Sequence, residues 1–152
     1  MNVHARLTDL GITLPAAAAP VASYQPLVVS GGLAHVSGQL PFVDGELVTG
    51  RLGEEISLER GVQAARACAL MILAQLHKAD LLDRLERIVK LGVFVNSAPK
   101  FIDQPKVANG ASDLMFDILG EPGRHARSAV GVAALPLGAA VEIDAVVALA
   151  RD

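Results

Sequence analysis

The sequence has no tryptophan, a single cysteine, and aromatic side chains at only 3% of its 152 positions. A lone Cys68 excludes an intrachain disulfide and suits a reducing compartment, most simply the cytoplasm. No apolar run approaches the ~20 residues that cross a bilayer, so no membrane association is expected. The opening segment "MNVHARLTDLGITLP" has no continuous apolar stretch behind a basic one, so it does not read as a secretory signal. An excess of positive charge is also missing. Thirteen Lys and Arg face sixteen Asp and Glu, for a net charge of −3 and a pI near 5.8. The basic residues are scattered, which argues against nucleic acid as a partner. His4, His35, His77 and His125 fall at no metal-ligand spacing, so no metal site is expected.

What is present is small and aliphatic. Hydrophobic residues make up 52% of the chain, chiefly Ala, Val and Leu, and the mean hydropathy is +0.44. A single domain of this length buries roughly 70% of its unfolded surface and needs no metal or disulfide to fold. Hydropathy this high in so small a chain points to an apolar surface reserved for oligomerisation.

The element signals run in order. Residues 2–10 suit a short helix, and "ITLPAAAAPVASYQP", with three prolines, reads as an extended arm; together they occupy residues 1–23 of one domain spanning 1–152. In "LVVSGGLAHVSGQLP" two β-prone runs flank Ser30-Gly31-Gly32, a hairpin signal, and Asp44-Gly45 marks a second turn. Ser57 is a candidate N-cap, and Leu58, Val62, Ala65, Ala69, Ile72 and Leu76 make one apolar stripe over a helix ending near Lys78. "RIVKLGVFVN" reads as a strand with Val89, Leu91, Val93 and Val95 on one face. A second helix fits residues 100–119, with Val107, Leu114 and Ile118 in the core, and strands follow at 127–135 and 141–149. This order predicts an α+β domain, a mixed sheet with two helices packed on one face.

Period-two alternation places the chemistry. In the penultimate strand Arg127, Ala129, Gly131, Ala133 and Leu135 share a face, and in the last strand Glu142 and Asp144 share the polar face. If these two strands pair, a carboxylate approaches Arg127. That allows two arrangements, a salt bridge at a sheet edge or a guanidinium fork kept for an anionic ligand. Arg124 and His125 precede the strand and read as loop or subunit-interface residues. His35 reads as a structural strand residue and Cys68 as helix packing.

"HVSGQLP", "VKLGVFVN", "RSAVGVAALP" and "AVEIDAVVALA", in this order, resemble the RidA/YjgF family, also called endoribonuclease L-PSP-like, from about Ala19 to Ala150. The resemblance implies a chorismate-mutase-like fold assembled as a homotrimer with ligand clefts between subunits. It further implies hydrolysis of reactive 2-imino or 2-enamino acids to 2-oxo acids and ammonia, without metal or organic cofactor. Position by position, it places the substrate-carboxylate arginine on Arg127 and the cleft tyrosine on Tyr24. It places the turn residues on Ser37 and Gly38, the second-helix asparagine on Asn109, a substrate-holding backbone at Ala129, and the water-associated acid on Asp144. The chain departs from the family pattern in having Asp144 where Glu is usual, Ala129 where Cys is common, and a different loop over residues 96–113. A small carboxylate-bearing metabolite is the implied partner. Deamination, carboxylate sensing without turnover, and RNA cleavage are the three functions it leaves in view, in that order.

Overall fold

The computed structural model describes residues 1–20 and 22–151; Val21, within the expected arm, and the terminal Asp152 lie outside them. Strands β1 (Leu27–Ser30) and β2 (Leu33–Gln39) form the expected hairpin. Gly31 and Gly32 both take positive φ, 59° and 77°, the two-residue turn that matches strand twist. The Asp44-Gly45 signal closes a second, small hairpin of β3 (Phe42–Val43) and β4 (Glu46–Leu47).

Helix α2 (Leu58–Lys78) begins where the sequence places it, with the Ser57 hydroxyl accepting a hydrogen bond from the Arg60 amide at 3.1 Å. It is buried more widely than a single stripe: Ala67, Met71, Leu73 and Ala74 are enclosed along with Ala65, Ala69, Ile72 and Leu76. The N-terminal arm and β3 border Ala67 and Met71 on one side, and on another the second helix, α3 (Gln104–Leu119), lies alongside α2. At their crossing a side chain on Gly110 would run into the Val62 carbonyl, so only glycine lets the backbones approach. Val107, Leu114 and Ile118 are buried as expected, and Pro105 sits in the first turn of α3, where its missing N–H costs nothing. A third helix, α1 (Val3–Asp9), packs Val3 and Leu7 inward and rests on α3, to which Arg6 donates a hydrogen bond at the Asp117 carbonyl. The helical layer on the sheet is thus α2 and α3, with α1 added outside it.

The main sheet is mixed, in the order β1-β2-β7-β5-β6, with β5 (Leu85–Asn96), β6 (Ala126–Val132) and β7 (Val141–Leu149). The sheet departs from the sequence reading at three points. The last two strands do not pair: β5 lies between them, antiparallel to β7 and parallel to β6. Val89 does not share the core face with Leu91, Val93 and Val95. A register shift between Ile88 and Lys90 inserts one residue, so Ile88 is fully buried and Val89 is exposed. Strand β6 also stops at Val132, short of residue 135, because Ala133 and Ala134 already lead into the turn around Pro136–Gly138.

One face of the sheet carries α2 and α3. Nothing among the described residues covers the other face, where Val28 and Val130 are exposed and Glu142, Asp144 and Val146 half-buried. Buried amides tie the arm to this frame. Gln75 on α2 donates to the Ala18 carbonyl at 2.8 Å and to the Gln39 side chain at 3.1 Å. Cys68 is wholly buried in the helix layer, and burial pushes its thiol well above the usual range, as a packing residue requires. Among the described residues no helix is long and apolar enough to cross a membrane.

Candidate functional site

Strand register decides which way Arg127 points. Leu91 on β5 is the Cα partner of both Arg127 on β6 and Ala145 on β7. Leu91 and Ala145 are buried under the helices, so Arg127 faces the helical side. There it meets α3: Nη1 donates to Asn109 Oδ1 at 2.9 Å and to Ser112 Oγ at 3.0 Å. Asn109 and Ser112 are three residues apart, so one helical face presents both acceptors. Among the described residues Arg127 has no carboxylate partner, and its Nε and Nη2 make no hydrogen bond. Of the two arrangements open from sequence, the sheet-edge salt bridge is therefore not formed. A half-buried guanidinium is braced on one side with most of its fork free.

Around it lies a cleft of about 390 Å³, lined by Ser112, Asp113, Phe116, Arg124, His125 and Arg127. Arg124 is otherwise engaged, stacked 4.4 Å from the Phe116 ring and hydrogen-bonded to Glu121 at 3.0 Å. His125 turns inward. Its Nδ1 lies 2.6 Å from the Gly123 carbonyl and its Nε2 lies 2.9 Å from Ser112 Oγ. Burial holds its imidazole below the usual range, with the Gly123 bond opposing and the nearby Arg127 charge assisting.

The two acids of β7 lie elsewhere. Gly92 is the partner of both Ser128 and Asp144, which puts those two on the uncovered face. Arg127 and Asp144 of one chain are thus two strands apart, about 10 Å, and on opposite sides of the sheet. Asp144 lies over Gly92, which has no side chain to obstruct it. Glu142, next but one, lies over Gly38: a Cβ there would sit 2.8 Å from the Glu142 carboxyl carbon. Half-burial pushes the Glu142 carboxyl above its usual range, and the Asp144 charge pushes it further.

The remaining sequence-predicted residues divide between these two places. Ala129 follows Arg127 on the helical side and is partly buried against the core. Ser37 and Gly38 belong to the uncovered face beside Glu142. The Ser37 hydroxyl donates to the Gln25 carbonyl at 2.7 Å and its amide to the Pro26 carbonyl at 2.9 Å, so Ser37 fastens the segment that carries Tyr24. Tyr24 itself is 52% exposed. Within one chain, then, Arg127, Asn109 and Ala129 come together, and Ser37, Gly38 and Asp144 come together, but the two groups do not meet. Sequence reasoning missed Ser112 and the inward turn of His125, and it placed Glu142 beside Asp144 on the polar face without giving it a role of its own. Ser112 was recoverable from the three-residue step after Asn109. The loop over 96–113 is half helix; it lines the cleft with Ser112 and Asp113 and braces Arg127 with Asn109.

Comparison with known proteins adds the following. Residues 4–148 match the family described as "YjgF/chorismate mutase-like, putative endoribonuclease". The chain is 57% identical to protein TCP17 of Trypanosoma cruzi over 97% of its own length and 94% of that protein's. It is 30% identical to a 2-iminobutanoate/2-iminopropanoate deaminase of Dermatophagoides farinae, covering 91% of this chain and 94% of that one. Among solved structures, the Agrobacterium tumefaciens protein Atu1372, of unknown function, superposes with a TM-score of 0.89 at 47% identity, covering 97% of this chain and 92% of its own.

Proposed function

Because the chain belongs to the YjgF/chorismate mutase-like family, we propose that it is a hydrolytic deaminase of 2-imino and 2-enamino acids, working in sites built between copies of a homotrimer. The observation that carries this reading is Arg127, braced through Nη1 and open through Nε and Nη2, without a carboxylate partner among the described residues. Such a fork matches a substrate carboxylate in two parallel hydrogen bonds. The relative that acts on 2-iminobutanoate and 2-iminopropanoate supports a substrate of this class.

The chemistry also needs a group that handles protons, and within one chain the two β7 carboxylates, Glu142 and Asp144, lie on the face of the sheet away from Arg127. A site holding both therefore joins the Arg127 cleft of one copy to the uncovered face of a neighbour, where Glu142, Asp144, Ser37 and Gly38 cluster. The same contact hides the apolar surface around Val28, Val130 and Val146. Of the two acids we give the proton-handling role to Glu142, with Asp144 beside it. Glu142 lies over Gly38 and has the raised carboxyl, the property a group needs to exchange protons near neutrality. In this scheme water adds to the carbon of the protonated imine and passes a proton to the Glu142 carboxylate. Glu142 returns that proton to the amino nitrogen of the carbinolamine, the C–N bond breaks and ammonia leaves, and the hydroxyl proton passes to the Glu142 carboxylate as the carbonyl of the 2-oxo acid forms. Arg127 holds the carboxylate still while this happens.

The test generates 2-iminobutanoate in situ with an amino-acid oxidase and follows its loss with and without the protein. Acceleration that Arg127→Ala removes supports the proposal, and no acceleration across several side-chain types refutes it. A second reading, a carboxylate-binding trimer without turnover, is favoured by the position of Glu142 and Asp144, which within one chain lie on the face of the sheet away from Arg127. Tight binding of a 2-oxo acid with no hydrolysis of the matching imine would select it. Ribonuclease action ranks last, given the acidic surface, and RNA cleavage surviving both repurification and Arg127→Ala would revive it.

A further inference from the structure

We propose that the cavity between the arm, the β3–β4 hairpin and α2 is a second binding site, for a zwitterion with an apolar body, the chemistry shared by an apolar amino acid and a short apolar peptide. At about 740 Å³ it is larger than the Arg127 cleft, and it falls within the range of small-molecule sites, roughly 300–1,000 Å³. Its floor is one face of α2. Gln63, Arg66, Ala67, Leu70 and Met71 recur there at helical spacing, on a different side from the stripe through Val62, Ala65 and Ala69. Leu14 and Pro15 of the arm and Phe42 and Val43 of the hairpin form the walls. The arm is anchored on both sides of the cavity. At one end the Ile12 amide donates to the Leu7 carbonyl at 2.8 Å and its side chain packs against the core; at the other the Ala18 carbonyl accepts from buried Gln75 at 2.8 Å. The two anchors hold the wall off α2, so the space is part of the fold. Among the described residues the backbone from Thr13 to Ala17 makes no hydrogen bond, which leaves its N–H and C=O groups for water or a ligand.

Charge then narrows the ligand. Two charged residues line the cavity, Asp44 at the tip of the hairpin and Arg66 on α2. Among the described residues neither makes a hydrogen bond or ion pair through its side chain, with the other or elsewhere. A simple anion gains at Arg66 and loses at Asp44, and a simple cation does the reverse. A molecule that carries both charges gains at each. Its apolar body covers Leu14, Phe42 and Leu70, which the fold leaves only partly buried, and burying that surface favours binding.

The test follows methyl NMR signals of the whole chain against four probes: leucine, leucyl-leucine, 4-methylpentanoate and 3-methylbutylamine. The last two carry the leucine side chain with one charge each. Leucine or its dipeptide shifts the Leu14, Leu70 and Met71 methyl signals and saturates by about 10 mM, and the tighter of the two identifies the source. Both single-charge probes bind at least about threefold more weakly, the weight of an exposed ion pair. Arg66→Gln and Asp44→Asn each weaken the zwitterion by a similar factor. Asp44→Asn also tightens 4-methylpentanoate, because it removes a repelling charge, a reversal that an apolar groove alone would not give. Both side chains are exposed, and asparagine suits the positive φ of 51° at position 44, so the fold survives each change. Arg127→Ala binds the zwitterion as the native chain does, so a failure of imine hydrolysis leaves this site standing. No saturable shift with either zwitterion by about 10 mM overturns the proposal, and so do single-charge probes that bind as tightly as leucine. Methyl shifts that follow protein concentration without added probe assign the cavity to a second copy of the chain and overturn it as well.

Discussion

Replacing Arg127 by alanine separates the clamp from the scaffold. In the folded chain Nη1 is committed to Asn109 and Ser112, at 2.9 and 3.0 Å, which leaves Nε and Nη2 for a bound carboxylate. Two charge-assisted hydrogen bonds at about 1.5–3 kcal/mol each amount to about 3–6 kcal/mol. A loss of that size lowers kcat/KM roughly 10²- to 10⁴-fold. Arg127→Lys keeps the charge without the planar fork, so it recovers only part of the loss. Neither change should unfold the protein. Asn109 and the cleft are open to solvent, and water replaces the lost donor, so stability falls by about 1 kcal/mol or less. The assay is steady-state hydrolysis of an imine generated in situ, with the melting temperature and the molar mass by light scattering measured on the same samples. An Arg127→Ala protein of intact assembly whose kcat/KM stays within about threefold of native would refute the reasoning.

Two further changes probe the other face and the frame. Folding raises the Glu142 carboxyl above its unfolded value, so the native state favours the protonated form and loses stability as pH rises through that window. Glu142→Gln should therefore melt higher than native near pH 8, with the gain shrinking below the ordinary glutamate range near pH 4.3, and should lower kcat by roughly 10²- to 10⁴-fold. Asp144→Asn removes the charge that helps raise Glu142, so the acid limb of the pH–rate profile should move to lower pH while most of kcat survives. Gly110→Ala drives a methyl into the Val62 carbonyl at the α2–α3 crossing. It should cost about 1–3 kcal/mol in urea denaturation, and an unchanged midpoint would mean the helices part there freely.

Much of the frame was legible because local signals agreed with the final structure. Ser57 caps α2 where the pattern starts, the glycine pair turns the first hairpin, and Gly120 with φ 67° ends α3. The errors arose where long-range pairing decides. Alternation alone cannot reveal that β5 inserts between the last two strands, nor that a bulge at Val89 shifts the core face to Ile88. The candidate site shows the same division. Arg127 and Asn109 were found as single positions, and the structure joins them at 2.9 Å. That Arg127 and the sheet acids face opposite ways depends on register with Leu91 and Gly92, which no window of sequence contains. The prominence of Glu142 over Asp144 arises from Gly38 and from half-burial, both tertiary facts.

The central claim is that Arg127 of one copy works with the acid of another. Mixing is its most direct test. Arg127→Ala and Glu142→Gln are each purified inactive, then co-refolded in equal amounts. With one site per subunit interface, random assembly restores about a quarter of the sites, so the account predicts recovery near a quarter of native activity. Recovery of none, with mixed assemblies demonstrated by mass spectrometry, would contradict it and place the whole site within a single chain.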